Sequence, residues 1–155
     1  MLSFESYGNP GAMPESEPLR LAKLLSLKVT ADFDDVALAR RVTEGLPTRT
    51  ASALHDFIGA LVEKAPLVPE ATLRRARRDS KPLPREHSER LYELSRVIDA
   101  VGRVYHGDSE RAAAFLTRSH PLLDGQSPLD LARSSSAGAD AVVNMLRRAE
   151  AGVAL

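Results

Sequence analysis

Four histidines, His55, His87, His106 and His120, are the side chains here best suited to moving a proton or holding a metal. Their spacing serves neither purpose. No H-E-x-x-H run or other ligand spacing occurs, so no two imidazoles share a helix face one turn apart around an ion. His106-Gly107-Asp108-Ser109 has the letters of a hydrolase site, but a glycine ending one helix and an aspartate capping the next account for it. G-x-S-x-G, P-loop and G-x-G-x-x-G patterns are missing too. Cysteine is absent, which removes disulfides, thiolate nucleophiles and Cys-bound zinc. The residues imply a chain that is no enzyme and needs no cofactor or metal. It binds.

One stretch is built for binding. Arg74, Arg75, Arg77, Arg78, Lys81 and Arg85 stand against Asp79 alone over 71–85, a local charge of +5 in a chain of zero net charge. Arg74, Arg77, Arg78 and Lys81 are three or four apart and project from one helix face. A short helix over 51–61, a possible turn at 61–65 and the Leu67-Val68-Pro69 turn precede them, the layout of a helix-turn-helix with the arginine helix as reader. Arginines that meet phosphate alone give salt-sensitive, weakly specific DNA binding. The same cations could instead pair with Glu70, Asp79 or a partner protein.

These residues need a scaffold, and the composition supplies one. The 155 residues are 43% hydrophobic but 5% aromatic, without Trp, so the core should be aliphatic: one domain, or two small ones sharing a core. Lys plus Arg equal Asp plus Glu at 21 each, which gives no overall case for nucleic acid or membrane. No apolar run approaches the roughly 20 residues that span a bilayer, and a soluble, cytoplasmic protein is expected.

In chain order, 1–18 carries Gly8, Pro10, Gly11, Pro14 and Pro18 without periodicity and reads as a mobile tail. Leu19–Val29 is dense in leucine and is assigned to a helix, although Leu25, Leu27 and Val29 also alternate as a strand would. Asp32 or Asp34 can cap a helix bearing Val36, Leu38, Ala39 and Val42 that ends near Gly45. Pro47-Thr48 opens the next, with Ala51, Leu54, Phe57, Ile58 and Leu61 at helical spacing. The longest pattern runs from Pro84 to His106 with a stripe of Leu91, Leu94, Val97, Ile98, Val101 and Val104. Beyond Gly107 and Asp108, three short helices follow. Leu123-Asp124-Gly125 turns the chain, Ser127 caps and Pro128 starts the second, and Ala137-Gly138 breaks the chain again after serines 134–136. Val142, Val143, Leu146 and Ala149 form the last stripe, and Gly152 sits where a C′ glycine would. The fold class is all-α.

In order and spacing, the parts of 111–152 resemble the C-terminal toxin-binding domain of the Xre/MbcA/ParS antitoxins, partners of RES-domain toxins. The stretch VPEATLRRARRDSKPLPREHSERLYELSRV is similar to the same family: Thr72-Leu73 with Arg75, and Leu83 with Ser88, Arg90 and Leu91, match its pattern. Ala71 and Pro84 depart from it, replacing a common arginine and a capping serine. The two stretches cover about 69–152.

The resemblance implies a helix-turn-helix-like domain over 19–106, ending in a long helix, and a small C-terminal toxin-binding domain over 107–155. It implies operator DNA as one partner, met by Thr72, Arg74, Arg75, Arg77, Arg78 and Lys81. A RES-type, NAD-consuming toxin is the other, met by Asp140, Asn144, Arg147, Arg148, Glu150, Gly152, Val153, Ala154 and Leu155 at or near its NAD pocket. Such readers pair on two half-sites, so a homodimer is expected, with Leu19–Val29 as an available apolar surface. A transcriptional regulator without a toxin partner is the alternative reading, and a structural adaptor without DNA affinity a third.

Overall fold

A computed structural model describes residues 2–59, 61 and 66–152. Five of its helices begin where a side chain satisfies a free N–H group of the first turn. The Ser16 hydroxyl accepts from the Leu19 N–H at the head of α1 (Glu17–Leu24), and the Asp34 carboxylate from Ala37 at 2.9 Å at the head of α2 (Asp35–Glu44). Gly45, at φ 107°, ends α2. The chain continues through α3 (Thr48–Gly59), α4 (Glu70–Arg78) and α5 (Arg85–Val104). Pro69 and Pro84 immediately precede the last two as cap residues. Asp108 caps α6 (Ser109–Thr117), Ser127 caps α7 (Pro128–Ser134) with Pro128 in its first turn, and Ser135 caps α8 (Ser136–Glu150). Among the described residues these eight α-helices are joined by two short 3-10 turns, Phe4–Gly8 and Pro121–Leu123, and no strand.

Helix α5 is the spine. Its apolar stripe of Leu91, Val97, Ile98 and Val101 is completely buried, with α1, α2 and α3 packed on it from one half of the chain and α7 and α8 from the other. One hydrophobic cluster therefore runs from Phe4 to Leu146, across the boundary at 106/107. Each fully buried leucine in it contributes about 1.5–3 kcal/mol.

Several expectations change. The segment expected to be a mobile tail is docked: Phe4 is buried, and the Tyr7 hydroxyl donates to Asp99 on α5 at 2.7 Å. Gly102 makes room for the Tyr7 ring, since a Cβ there would lie 2.5 Å from it. The helix assigned to Leu19–Val29 stops at Leu24, because Ser26 enters the left-handed region at φ 57° and turns the chain. Its apolar surface is not available for self-association: Leu21, Leu24, Leu25 and Leu27 are buried within this chain.

The break expected at Ala137-Gly138 lies two residues earlier, at Ser135, and α8 runs straight through Gly138. Gly138 is there for close approach, since a Cβ would lie 2.1 Å from the Leu131 carbonyl oxygen of α7. Serines 134–136 are accordingly the end of α7, a shared cap and the start of α8 rather than a loop. The turn anticipated at 61–65 falls mostly outside the described residues.

Candidate functional site

Two surfaces carry the polar residues singled out by sequence. The first is α4. Leu73 and Ala76 are buried against the core, which turns Arg74, Arg75, Arg77 and Arg78 outward, followed by an exposed Lys81; Thr72 is half-buried. Asp79 pairs with Arg78 at 3.1 Å, and this exposed contact leaves the other cations of the helix unpaired by it. Ten residues, 60–69, separate α3 from α4. The arrangement is a cationic helix face fixed to the body by two buried side chains.

A groove beside this face brings in residues that spacing alone did not reveal. With a volume of about 510 Å³, it lies between the α2–α3 turn and the end of α4, and its cations are Arg41, Arg49, Arg77 and Lys81. Arg41 and Arg49 are 36 and 28 positions before Arg77 in the chain. Only the packing that joins Leu46 to Leu83, through an N–H···O bond of 2.8 Å from Leu83, makes them neighbours.

The second surface is the outer face of α8. Ala139, Val142, Val143, Met145 and Leu146 point into the core, so Asp140, Asn144, Arg147, Arg148 and Glu150 are exposed, as is Gly152. Gly152 adopts φ 90° just past the helix end, the position of a C′ glycine. Three of these side chains are clasps to the body: Asp140 to Arg96 at 2.8 Å, Glu150 to Arg103 at 2.5 Å and Arg147 to Glu17 at 3.5 Å. Asn144 and Arg148 remain, with Arg148 contacting only the Asn144 carbonyl, at 3.5 Å, among the described residues. Val153, Ala154 and Leu155 lie outside the described residues.

Between the clasps, Glu93 of α5 is buried against the head of α8 and accepts from the Ser136 hydroxyl. Its other carboxylate oxygen has no hydrogen bond among the described residues, with the Arg90 guanidinium at 3.9 Å. An aromatic group of Tyr105, Phe115 and His120 closes the α5–α6 corner, with Arg111 stacked 5.7 Å from the Tyr105 ring. Burial raises the Tyr105 hydroxyl above its ordinary pKa and Arg111 partly offsets it. His120 is a cap, its Nδ1 accepting from the Leu122 N–H at 3.2 Å. Among the described residues no group of three or more His, Asp or Glu side chains could hold a metal ion, and no helix is long and apolar enough to cross a membrane.

The described residues thus carry a cationic face on α4 and a polar, clasped outer face on α8. Residues 100–152, about a third of the chain, match the family described as antitoxin Xre/MbcA/ParS C-terminal toxin-binding domain. The similarity is confined to this region, which takes in the last turn of α5 and all of α6 to α8. That match supports an antitoxin role and a toxin as partner, and it suggests a regulatory rather than a catalytic protein. No curated protein matches the chain.

Proposed function

We propose that this protein neutralises a RES-type, NAD-consuming toxin by placing its C-terminal segment over the toxin's active site, and represses its own operon through α4. The observation that carries the reading is a coincidence of position. The toxin-binding match at 100–152 ends just past α8, the helix whose exposed side carries Asn144 and Arg148 and which Gly152, at φ 90°, follows. The small apolar residues Val153-Ala154-Leu155 suit a concave site, and their occupancy would exclude NAD sterically. The clasps Asp140–Arg96, Glu150–Arg103 and Arg147–Glu17 hold α8 in one orientation, which lowers the ordering cost of binding.

Operator binding draws support from the outward arginines of α4 and from the charge of +5 over 71–85. Pairing of two copies on two half-sites would follow from that mode of reading DNA, using a surface other than Leu19–Val29. The setting proposed is the bacterial cytoplasm.

Co-expression with the product of the adjacent gene, followed by co-purification and a cellular NAD assay, tests the reading. A stable complex is expected, with NAD maintained by the full chain and lost when 148–155 are removed. No complex and no effect on NAD would leave a helix-turn-helix regulator without a toxin partner.

A further inference from the structure

We propose that the groove between the α2–α3 turn and α4 seats the phosphodiester backbone of duplex nucleic acid, with Arg41 and Arg49 as phosphate ligands beside Arg77 and Lys81. This rests on the reading of α4 as a DNA-facing helix and adds two residues remote from it in sequence.

The groove's lining contains four cations and no carboxylate. Among the described residues none of the four forms an ion pair. Arg49 donates from Nε to the Ser26 carbonyl at 2.9 Å, and Arg41 from Nη1 to the Lys28 carbonyl at 3.4 Å. Each bond steadies a guanidinium and leaves its other N–H donors unused. Like charges gathered without counter-charges repel one another and destabilise the free protein. An anion in the groove relieves that repulsion.

Shape and chemistry select among anions. The remaining lining is Gly45, Pro47, Thr48, Ala76, Ser80 and Pro82, with no aromatic ring on which a base could stack, so the groove reads phosphate and not nucleobase. Lys81, expected on the arginine face of α4, lies past the helix end, beyond the Ser80 turn at φ 52°. Arg77 shares that face with Arg74 and Arg78, so the positive surface continues out of the groove along α4. That suits an extended polyanion better than a small one.

The walls are fixed in advance. Leu83 donates to the Leu46 carbonyl and the Leu46 N–H donates to Ser88 Oγ, both at 2.8 Å. At Gly45 the two segments approach so closely that a Cβ would lie 2.6 Å from the Leu83 oxygen. A preformed groove avoids the ordering cost that flexible surface arginines incur on binding.

Fluorescence anisotropy of the full chain with a duplex from upstream of its gene, between 50 and 200 mM salt, tests the proposal. Replacing both Arg41→Gln and Arg49→Gln should lower affinity about tenfold at physiological salt and reduce the salt slope by about 2, at ~0.9 for each phosphate contact. Arg41→Lys with Arg49→Lys should bind within about twofold of wild type, because charge dominates phosphate contacts. Arg118→Gln, just past the end of α6, should change nothing. Because the glutamine pair also weakens the bonds to Ser26 and Lys28, Lys81→Gln, which breaks no hydrogen bond, supplies a second reading: a slope lower by about 1.

Wild-type binding by both the glutamine pair and Lys81→Gln overturns the groove while leaving α4 as a reader. Failure of the wild type to bind duplex overturns both. Loss of inorganic tripolyphosphate binding with duplex binding intact would make the groove a site for free polyphosphate and overturn the duplex assignment.

Discussion

Arg20 and Asp99, 79 positions apart, form a buried pair with two contacts, Nε to Oδ1 at 2.8 Å and Nη2 to Oδ2 at 3.2 Å. Arg20 also donates to the Pro14 and Glu15 carbonyls, so one guanidinium ties the N-terminal segment to the middle of the spine helix. Asp99→Ala would leave that cation buried without its counter-charge. A loss of about 3–5 kcal/mol is expected in urea unfolding. The double change Arg20→Met with Asp99→Leu should recover most of it, since no charge then remains to be solvated.

Tyr7 shares the same carboxylate. Burial, with the Asp99 charge added, pushes its hydroxyl well above the ordinary tyrosine range. The folded chain thus keeps this proton where an unfolded one loses it, near pH 10. The associated stability is complete below about pH 10 and declines above it by about 1.4 kcal/mol per pH unit. Tyr7→Phe should flatten that alkaline slope in urea titrations at pH 9 to 11, at a cost of about 1 kcal/mol for the lost hydrogen bond.

Gly138→Ala inserts a methyl group where the Leu131 oxygen stands 2.1 Å away. Backbone must move, so α7 and α8 should separate, with a loss of about 1–3 kcal/mol. A lower melting temperature together with weaker toxin capture is the expected pair of observations.

Asn144→Glu and Arg148→Glu alter only the exposed side of α8. Toxin capture should weaken at least about tenfold, as for a charge placed at an interface hot spot, while the melting temperature stays unchanged. Glu150→Gln should behave oppositely: it loosens a half-exposed clasp to Arg103 and costs under about 1 kcal/mol.

Arg74→Gln with Arg78→Gln should weaken duplex binding and lower its salt slope by about 2, with toxin neutralisation untouched. A slope equal to that of wild type in anisotropy titrations would sink the assignment of α4 to DNA.

What was legible in the sequence was local. Asp34, Asp108 and Ser127 cap helices because a short polar side chain reaches its own N–H groups three residues on, and Gly152 ends one because it alone tolerates φ 90° there without strain. Long-range packing was not legible. Nothing near Phe4 or Tyr7 announces that Gly102 is vacant for a ring, and nothing near Gly138 announces the Leu131 carbonyl. A glycine that permits close approach carries the same letter as one that ends a helix, which is why the break was expected two residues too late. Arg41 and Arg49 escaped for a related reason, since charge was counted along the chain and the groove gathers it across folded segments.

The spine has a consequence for how the chain comes off the ribosome. Leu21, Leu24 and Phe4 find their partners on a helix that is not complete until Val104 has been made. Until then the nascent protein must hold these side chains in water or on a chaperone. When α5 emerges, the N-terminal helices can condense on it, and α7 and α8 add to it as they follow. The mature chain should then melt in one transition, with no half that survives alone.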